Sequence, residues 1–262
     1  MRFPRSLREL RKQLMHRFGP KDPGRQWQPG YPNVDGPRYE PYLKLISEAI
    51  NTRTYLEIGS ETGKSLRQIN ADTIAVDPNF NIKYEFVGTK KRVFMFQQTS
   101  DEFFSTGFLQ RYDTPIEFAF LDGMHEFEFL LRDFLNTARF VKQGSIIAMH
   151  DCVPINSIMA RRDRKAHSSS YWTGDVWKVL PIIQSNFPDL AIEVLNLAPT
   201  AIAVVHSFPQ TPIAADIGGF GEEMTKWRDV TLAEYGLEQF QRQFPLVDPD
   251  MFISKLSQRA PN

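Results

Sequence analysis

Apolar and polar positions alternate with two periods along this chain, and the switches between them outline its elements. Short apolar runs of strand length fall at residues 54–58, 74–76, 92–96, 116–121 and 145–149. Between them the spacing turns helical. Leu43, Ile46 and Ile50 share a face over residues 42–50, Leu66 and Ile69 sit three apart, and Leu130, Phe134 and Leu135 mark a longer helix over 127–140. Further helices are expected over 102–109 and over 174–186, the latter carrying Trp177, Val179, Leu180 and Ile183. Strand–helix alternation of this kind predicts an α/β fold, doubly wound, with a mostly parallel sheet covered on both faces. Two later runs, 191–195 and 201–205, are joined by a short turn through Pro199 and predict an antiparallel hairpin at the end of the sheet. Helix is expected again over 222–235 and, more weakly, near the C-terminus.

The flanks break this pattern. Residues 1–19 carry Arg2, Arg5, Arg8, Arg11, Lys12 and Arg17 against Glu9, with Leu7, Leu10, Leu14 and Phe18 at helical spacing. That is a basic amphipathic helix. It suits peripheral contact with an anionic membrane, or it docks its leucine edge on the domain or on a partner subunit in a homo-oligomer. Residues 20–41 are rich in proline and glycine and read as an extended arm. The expected organisation is a basic helix (1–19), an arm (20–41), a main domain (42–206) and a helical C-terminal extension (207–262).

Composition narrows the function. The chain has 31 Lys and Arg against 31 Asp and Glu, so no global field attracts nucleic acid. The single cysteine, Cys152, cannot form an internal disulfide or a cysteine-based zinc site. No apolar run reaches the roughly 20 residues that span a bilayer, and the N-terminus lacks the apolar core of a secretory signal. The expected location is cytoplasmic.

Candidate chemistry lies where the strands end. Glu57, Gly59 and Gly63 form the pattern E-x-G-x-x-x-G after the first strand, and Asp77 ends the second. A strand–helix–strand unit with glycines at its first turn lets a nucleoside approach the backbone, and the acidic residue is placed for ribose hydroxyls. A dinucleotide fingerprint fails because Glu57 stands where its first glycine belongs. A phosphate-cradling loop fails because Ile58 stands where Gly63-Lys64-Ser65 needs a partner glycine. An acidic turn repels pyrophosphate and suits a cationic ligand without phosphate. The plain alternative is a βαβ unit whose glycines serve packing alone.

Two further strand ends carry Asp122-Gly123-Met124-His125 and His150-Asp151. Neighbouring strands lie about 4.8 Å apart, so Asp122 and Asp151 can converge on one hard cation such as Mg²⁺, which takes oxygen ligands. The plain alternative is that each aspartate caps the following helix and His150 is a satisfied, half-buried histidine. The loop over 153–173 clusters Arg161, Arg162, Arg164 and Lys165 around Asp163, followed by His167, Tyr171 and Trp172. Loops this long are usually functional, and this one sits where an acceptor would enter. His150, Arg161, Arg162, Tyr171 and Trp172 are its candidate substrate residues, because aromatics suit a sugar ring and arginines suit a carboxylate or phosphate.

The run from Glu57 to Gly63 followed by Asp77 resembles the cofactor motif of class I S-adenosylmethionine-dependent methyltransferases. With the D-G-x-H and H-D ends it is similar to the subgroup that includes macrolide and sugar O-methyltransferases, over residues 42–206. The resemblance implies a seven-stranded Rossmann-like sheet with its last strand antiparallel, in keeping with the hairpin. It implies that Gly59, Ser60 and Gly63 approach the cofactor S-adenosylmethionine, that Glu57 lies near its methionine moiety, and that Asp77 takes the ribose. Ser100 and Asp101 then lie beside the adenine, and Asp122 borders the cofactor. It also implies His125 as general base with Asp122 beside it, and Asp122 and Asp151 as metal ligands. The expected reaction is O-methylation of a small-molecule or glycan acceptor. The competing readings are a non-catalytic cofactor-binding scaffold or partner subunit, and a nicotinamide-dependent oxidoreductase, which Glu57 disfavours.

Overall fold

The computed structural model describes residues 26–164, 171–213 and 218–259. The basic helix expected over 1–19, with its membrane and partner contacts, lies outside these residues, as do Lys165 and His167.

Five parallel strands form the centre: β1 (Thr54–Ile58), β2 (Asp72–Val76), β3 (Val93–Phe96), β4 (Phe118–Leu121) and β5 (Ile146–His150). They are followed by β6 (Ala191–Leu195), β7 (Ile202–His206) and β8 (Leu246–Val247). The sheet order is β3-β2-β1-β4-β5-β7-β6-β8. Strand β7 is antiparallel to both β5 and β6, so the expected hairpin is present. The expectation of seven strands is corrected to eight. Residues 246–247 of the C-terminal extension pair in parallel with β6, a two-residue strand too short to leave a periodic signal.

Strand parity builds the two covering layers. Leu56, Ile58, Ala119, Leu121, Ile147 and Met149 face helix α4 (Phe127–Ala138) and its neighbours. Tyr55, Phe118, Phe120, Ile146 and Ala148 face the opposite layer, where Leu43 and Ile46 of helix α1 (Glu40–Ala49) are fully buried. Because β1 is buried on both sides, its sequence reads as a mostly apolar run, with Glu57 its one charged residue.

Several helices differ from expectation for local reasons. The crossover after the glycine turn is one 3₁₀ turn, Leu66–Gln68, because Ile69 is already extended. The helix expected over 102–109 divides into α2 (Ser100–Ser105) and α3 (Phe108–Tyr112) at Gly107, whose φ of 66° is left-handed. Helix α5 (Val179–Asn186) follows a 3₁₀ turn, Val176–Lys178. The stretch expected as one helix over 222–235 is α6 (Gly221–Trp227) and α7 (Leu232–Tyr235). Thr231 and Glu234 form a capping box that starts the second helix afresh. Helices α8 (Leu237–Gln243) and α9 (Pro249–Arg259) flank β8. The extension packs on the main body, with Trp177 ringed by Trp227, Tyr235 and Phe240. Among the described residues no helix is long and apolar enough to cross a membrane.

Strand order reverses at β1, between β2 and β4. In open α/β sheets this is where the carboxyl ends of the strands leave a crevice. The arm arrives there too. Gln28 N–H donates to the Ile155 carbonyl at 3.0 Å, Ala198 N–H to Pro37 at 2.8 Å, and Tyr39 N–H to Ala198 at 3.3 Å. These bonds hold Tyr39 over the strand ends.

Candidate active site

The turn after β1 needs glycine for reasons internal to the chain. Gly59 has φ +85°, and a Cβ there would lie 1.9 Å from the Asp122 carbonyl oxygen. The first turn and the end of β4 are therefore in backbone contact. Gly63 has φ +77°, with the Phe86 ring and the Tyr84 carbonyl against it. The segment after β2 runs along this turn, with Asn81 N–H donating to Glu61 and Lys83 N–H to Thr62, both at 2.9 Å. The two glycines thus answer to neighbouring protein atoms at these positions.

Glu57, expected beside the methionine moiety, is instead sealed behind the turn with no exposed surface. Its two carboxylate oxygens accept from Tyr55 Oη at 2.6 Å and Ser65 Oγ at 2.7 Å. Burial raises its pKa from 4.5 to about 7 despite those bonds. Ser60 is buried beside it, its Oγ donating to the Glu57 carbonyl at 3.5 Å. Asp77 ends β2 as expected. Its Oδ2 accepts from Glu61 N–H at 2.8 Å and its Oδ1 from Asn79 N–H at 2.7 Å. Each oxygen keeps a second lone pair, so the donor set of a ribose diol still fits. Ser100 opens α2 at the end of β3, and Asp101 holds Arg132 of α4 through two bonds, at 3.0 and 2.7 Å.

The residues at the ends of β4 and β5 converge. His125 Nε2 lies 3.2 Å from Asp151 Oδ2 and 3.9 Å from Asp122 Oδ1. His150 Nδ1 lies 3.3 Å from each of the same two carboxylates, without hydrogen-bond geometry to either. Burial opposes charge on His150, yet Asp151 and Asp122 outweigh it and hold its pKa well above the ordinary histidine value. Burial likewise pushes the Asp151 carboxyl up, but His150, His125 and a 2.6 Å bond from Thr200 Oγ1 hold it below its usual range. Asp122, His125 and Asp151 each place one potential ligand atom within 4.8 Å of the others. Neither aspartate is a helix cap: Glu126 occupies the position before α4, and no helix follows Asp151 directly.

The loop after β5 closes over His125. Its Nδ1 lies 2.6 Å from the Trp172 carbonyl oxygen, and the His125 and Trp172 rings stack at 5.3 Å. Gly174 permits the approach, since a Cβ there would lie 1.7 Å from the His125 carbonyl. Tyr171 precedes this stack, and Arg161 offers its carbonyl to Trp172 Nε1 at 2.5 Å. Arg162, expected on substrate, is committed elsewhere. It binds Glu126 at 2.7 Å, Glu128 at 2.7 Å and Asp175 at 3.0 Å, tying the loop to the start of α4. Asp175 also accepts from Phe127 N–H at 2.9 Å and from the buried Lys178 at 2.8 Å.

Three participants left no usable mark in the sequence: Thr200 from the turn between β6 and β7, the Trp172 carbonyl, and Tyr39, whose ring lies 4.5 Å from His150. Tyr55 is different, because strand parity already places it on the same face as Glu57.

Residues 56–152 match the family model described as a methyltransferase domain. None of the curated proteins compared matches the chain. Among solved structures, cofactor-bound Rv0187 from MTB is similar at 14% identity, covering 79% of this chain and 100% of that one, with a TM-score of 0.51. The O-methyltransferase TomG from Streptomyces achromogenes, in complex with SAM, aligns at 14% identity over 64% of this chain and 79% of its own, with a TM-score of 0.47. An O-methyltransferase from Bacillus cereus in complex with SAH aligns at 12% identity over 78% and 91%, also at 0.47. At these identities the likeness to Rv0187 is one of fold.

Proposed function

We propose that this chain, whose residues 56–152 match a methyltransferase domain, is a class I S-adenosylmethionine-dependent methyltransferase that methylates a hydroxyl of a sugar or glycosylated small molecule. The observation that carries the reading is the setting of His125. A carbonyl only accepts hydrogen bonds, so the 2.6 Å contact with Trp172 puts the ring proton on Nδ1. In the neutral ring the lone pair is then on Nε2, at the ends of β4 and β5 beside the glycine turn. It takes the proton of the acceptor hydroxyl, and the Asp151 carboxylate 3.2 Å away faces the charge the ring gains. Stacking on Trp172 keeps the ring from rotating. Asp77 holds the ribose hydroxyls through its free lone pairs. S-adenosylmethionine, when bound, supplies a sulfonium methyl group whose carbon–sulfur bond breaks, leaving its electron pair on sulfur, as the carbon–oxygen bond forms.

The cluster also fits a divalent cation. Asp122 and Asp151 are the oxygen donors that Mg²⁺ takes, with His125 close by. Mg²⁺ there would lower the pKa of the acceptor hydroxyl. The partly exposed rings of Trp172 and the neighbouring Tyr171 support a sugar-bearing acceptor, because aromatic rings pack on the apolar faces of sugars.

The test is methyl transfer from labelled S-adenosylmethionine to a panel of sugars and glycosides. His125→Ala should lower kcat by about 10²–10⁴-fold while the cofactor Kd stays within a few-fold. Full activity in His125→Ala removes the base, and full activity in excess chelator removes the metal. Tight NAD binding without a response to S-adenosylmethionine removes the methyltransferase reading altogether.

A further inference from the structure

With Glu57 sealed behind the turn, the amino-acid end of the methyl donor needs other partners. Beside the turn stands a charge cluster in which Glu40, at the start of α1, is shared by two cations. Arg38 Nη2 lies 2.6 Å from Glu40 Oε1, and Lys64 Nζ lies 2.5 Å from the same oxygen. Burial pushes the Glu40 carboxyl up, but the bonds from Arg38 and Lys64 prevail and hold it down to about 2. Two cations on one carboxylate leave one positive charge uncompensated. The exposures show where it points: the Glu40 side chain is 6% exposed, against 56% for Arg38 and 43% for Lys64. The carboxylate anchors the cluster, and the cations face outward.

The position is as specific as the charge. Lys64 directly follows Gly63, and Glu61, three residues earlier, donates to Asp77. Three residues span at most about 11 Å, so the ribose acid and the cationic pair stand at the two ends of one short turn. On its other side the cluster adjoins Tyr39, whose ring packs on His150. Tyr39 lies within electrostatic reach of Asp122 and Asp151.

Resting on the methyl-donor reading above, we propose that Arg38 and Lys64 bind the α-carboxylate of the donor's methionine end, with Glu40 holding the two cations in place behind them. The ligand carboxylate meets the one positive charge that Glu40 leaves uncompensated. The arm and α1 thereby become part of the cofactor site.

The experiment compares two ligands that share the nucleoside and differ in the amino acid: S-adenosylhomocysteine and 5′-methylthioadenosine. Calorimetry on the full chain should give tighter binding of S-adenosylhomocysteine. Lys64→Met and Arg38→Met should each shrink that preference by roughly ten- to hundredfold, the worth of one charge-assisted hydrogen bond. Affinity for methylthioadenosine should stay unchanged, and Lys64→Arg should restore most of the preference. If the cluster only clips α1 to the turn, the substitutions will lower the thermal midpoint and weaken both ligands alike, or neither, and the proposal falls. A wild-type chain that binds methylthioadenosine and S-adenosylhomocysteine equally also overturns it while sparing the methyl-donor reading. A wild-type chain that binds neither removes that reading and this one together.

Discussion

Replacing Glu57 with glutamine should change how stability depends on pH. The side chain is fully buried, and its pKa rises from 4.5 to about 7 chiefly through burial. Between those two values the folded chain keeps a proton that the unfolded chain has released. Stability therefore falls as pH rises through that window, and the loss is complete above the folded value. At about 1.4 kcal/mol per tenfold change in proton activity, the difference is on the order of 3 kcal/mol. In Glu57→Gln the group does not titrate, and the Tyr55 and Ser65 hydroxyls can rotate to serve one amide donor and one acceptor. Unfolding of both proteins at pH 5 and pH 8, followed by tryptophan fluorescence, should show the wild type losing about 3 kcal/mol more than the variant. In thermal midpoints that is roughly 6–12 °C for a chain of this size. Asp133, another buried carboxyl pushed up to about 7, titrates in the same direction. It is present in both proteins and cancels. Parallel pH profiles would mean that Glu57 is ionised near its ordinary value and that its two hydroxyl donors outweigh burial.

Gly174→Ala places a methyl group against the His125 carbonyl at a left-handed residue, so it should separate Trp172 from His125. Its kcat should fall with little change in cofactor affinity, and an unchanged kcat would deny the stack a role. Asp175→Asn leaves Lys178 buried beside a neutral amide and should cost about 3–5 kcal/mol in unfolding free energy, while Lys178→Met, which leaves Asp175 paired with Arg162, should cost clearly less. Thr200→Val removes the 2.6 Å bond to Asp151. It should cost about 1–3 kcal/mol for a charged acceptor left short of a donor, measured by urea unfolding, and should lower methyl transfer more than cofactor binding.

The sheet was largely legible because strands buried on both faces read as apolar runs, and chemistry at a parallel sheet gathers at the ends of those runs. Asp77, Asp122, His125, His150 and Asp151 each terminate or follow one, which is why linear inspection finds them. Glu57 also follows the pattern, but its outward or inward aim depends on side-chain parity against Tyr55 and on a serine eight residues away. Arg162 shows the complementary limit. An arginine in a polar loop reads as free to meet a substrate, and only the fold brings Glu126, Glu128 and Asp175 around it. Backbone participants such as the Trp172 carbonyl have no residue type to betray them.

The arm has a consequence for the order in which the protein can become competent. Gly36 donates to Asn196 across 160 residues, and Tyr39 and Pro37 bond to Ala198. Thr200, which holds Asp151, comes from the same turn. During synthesis the arm leaves the ribosome early, yet the turn that seats it emerges only after three quarters of the chain. The arm's seat and the bracing of Asp151 wait for one late turn, so neither can be in place before residues 196–200 have been made.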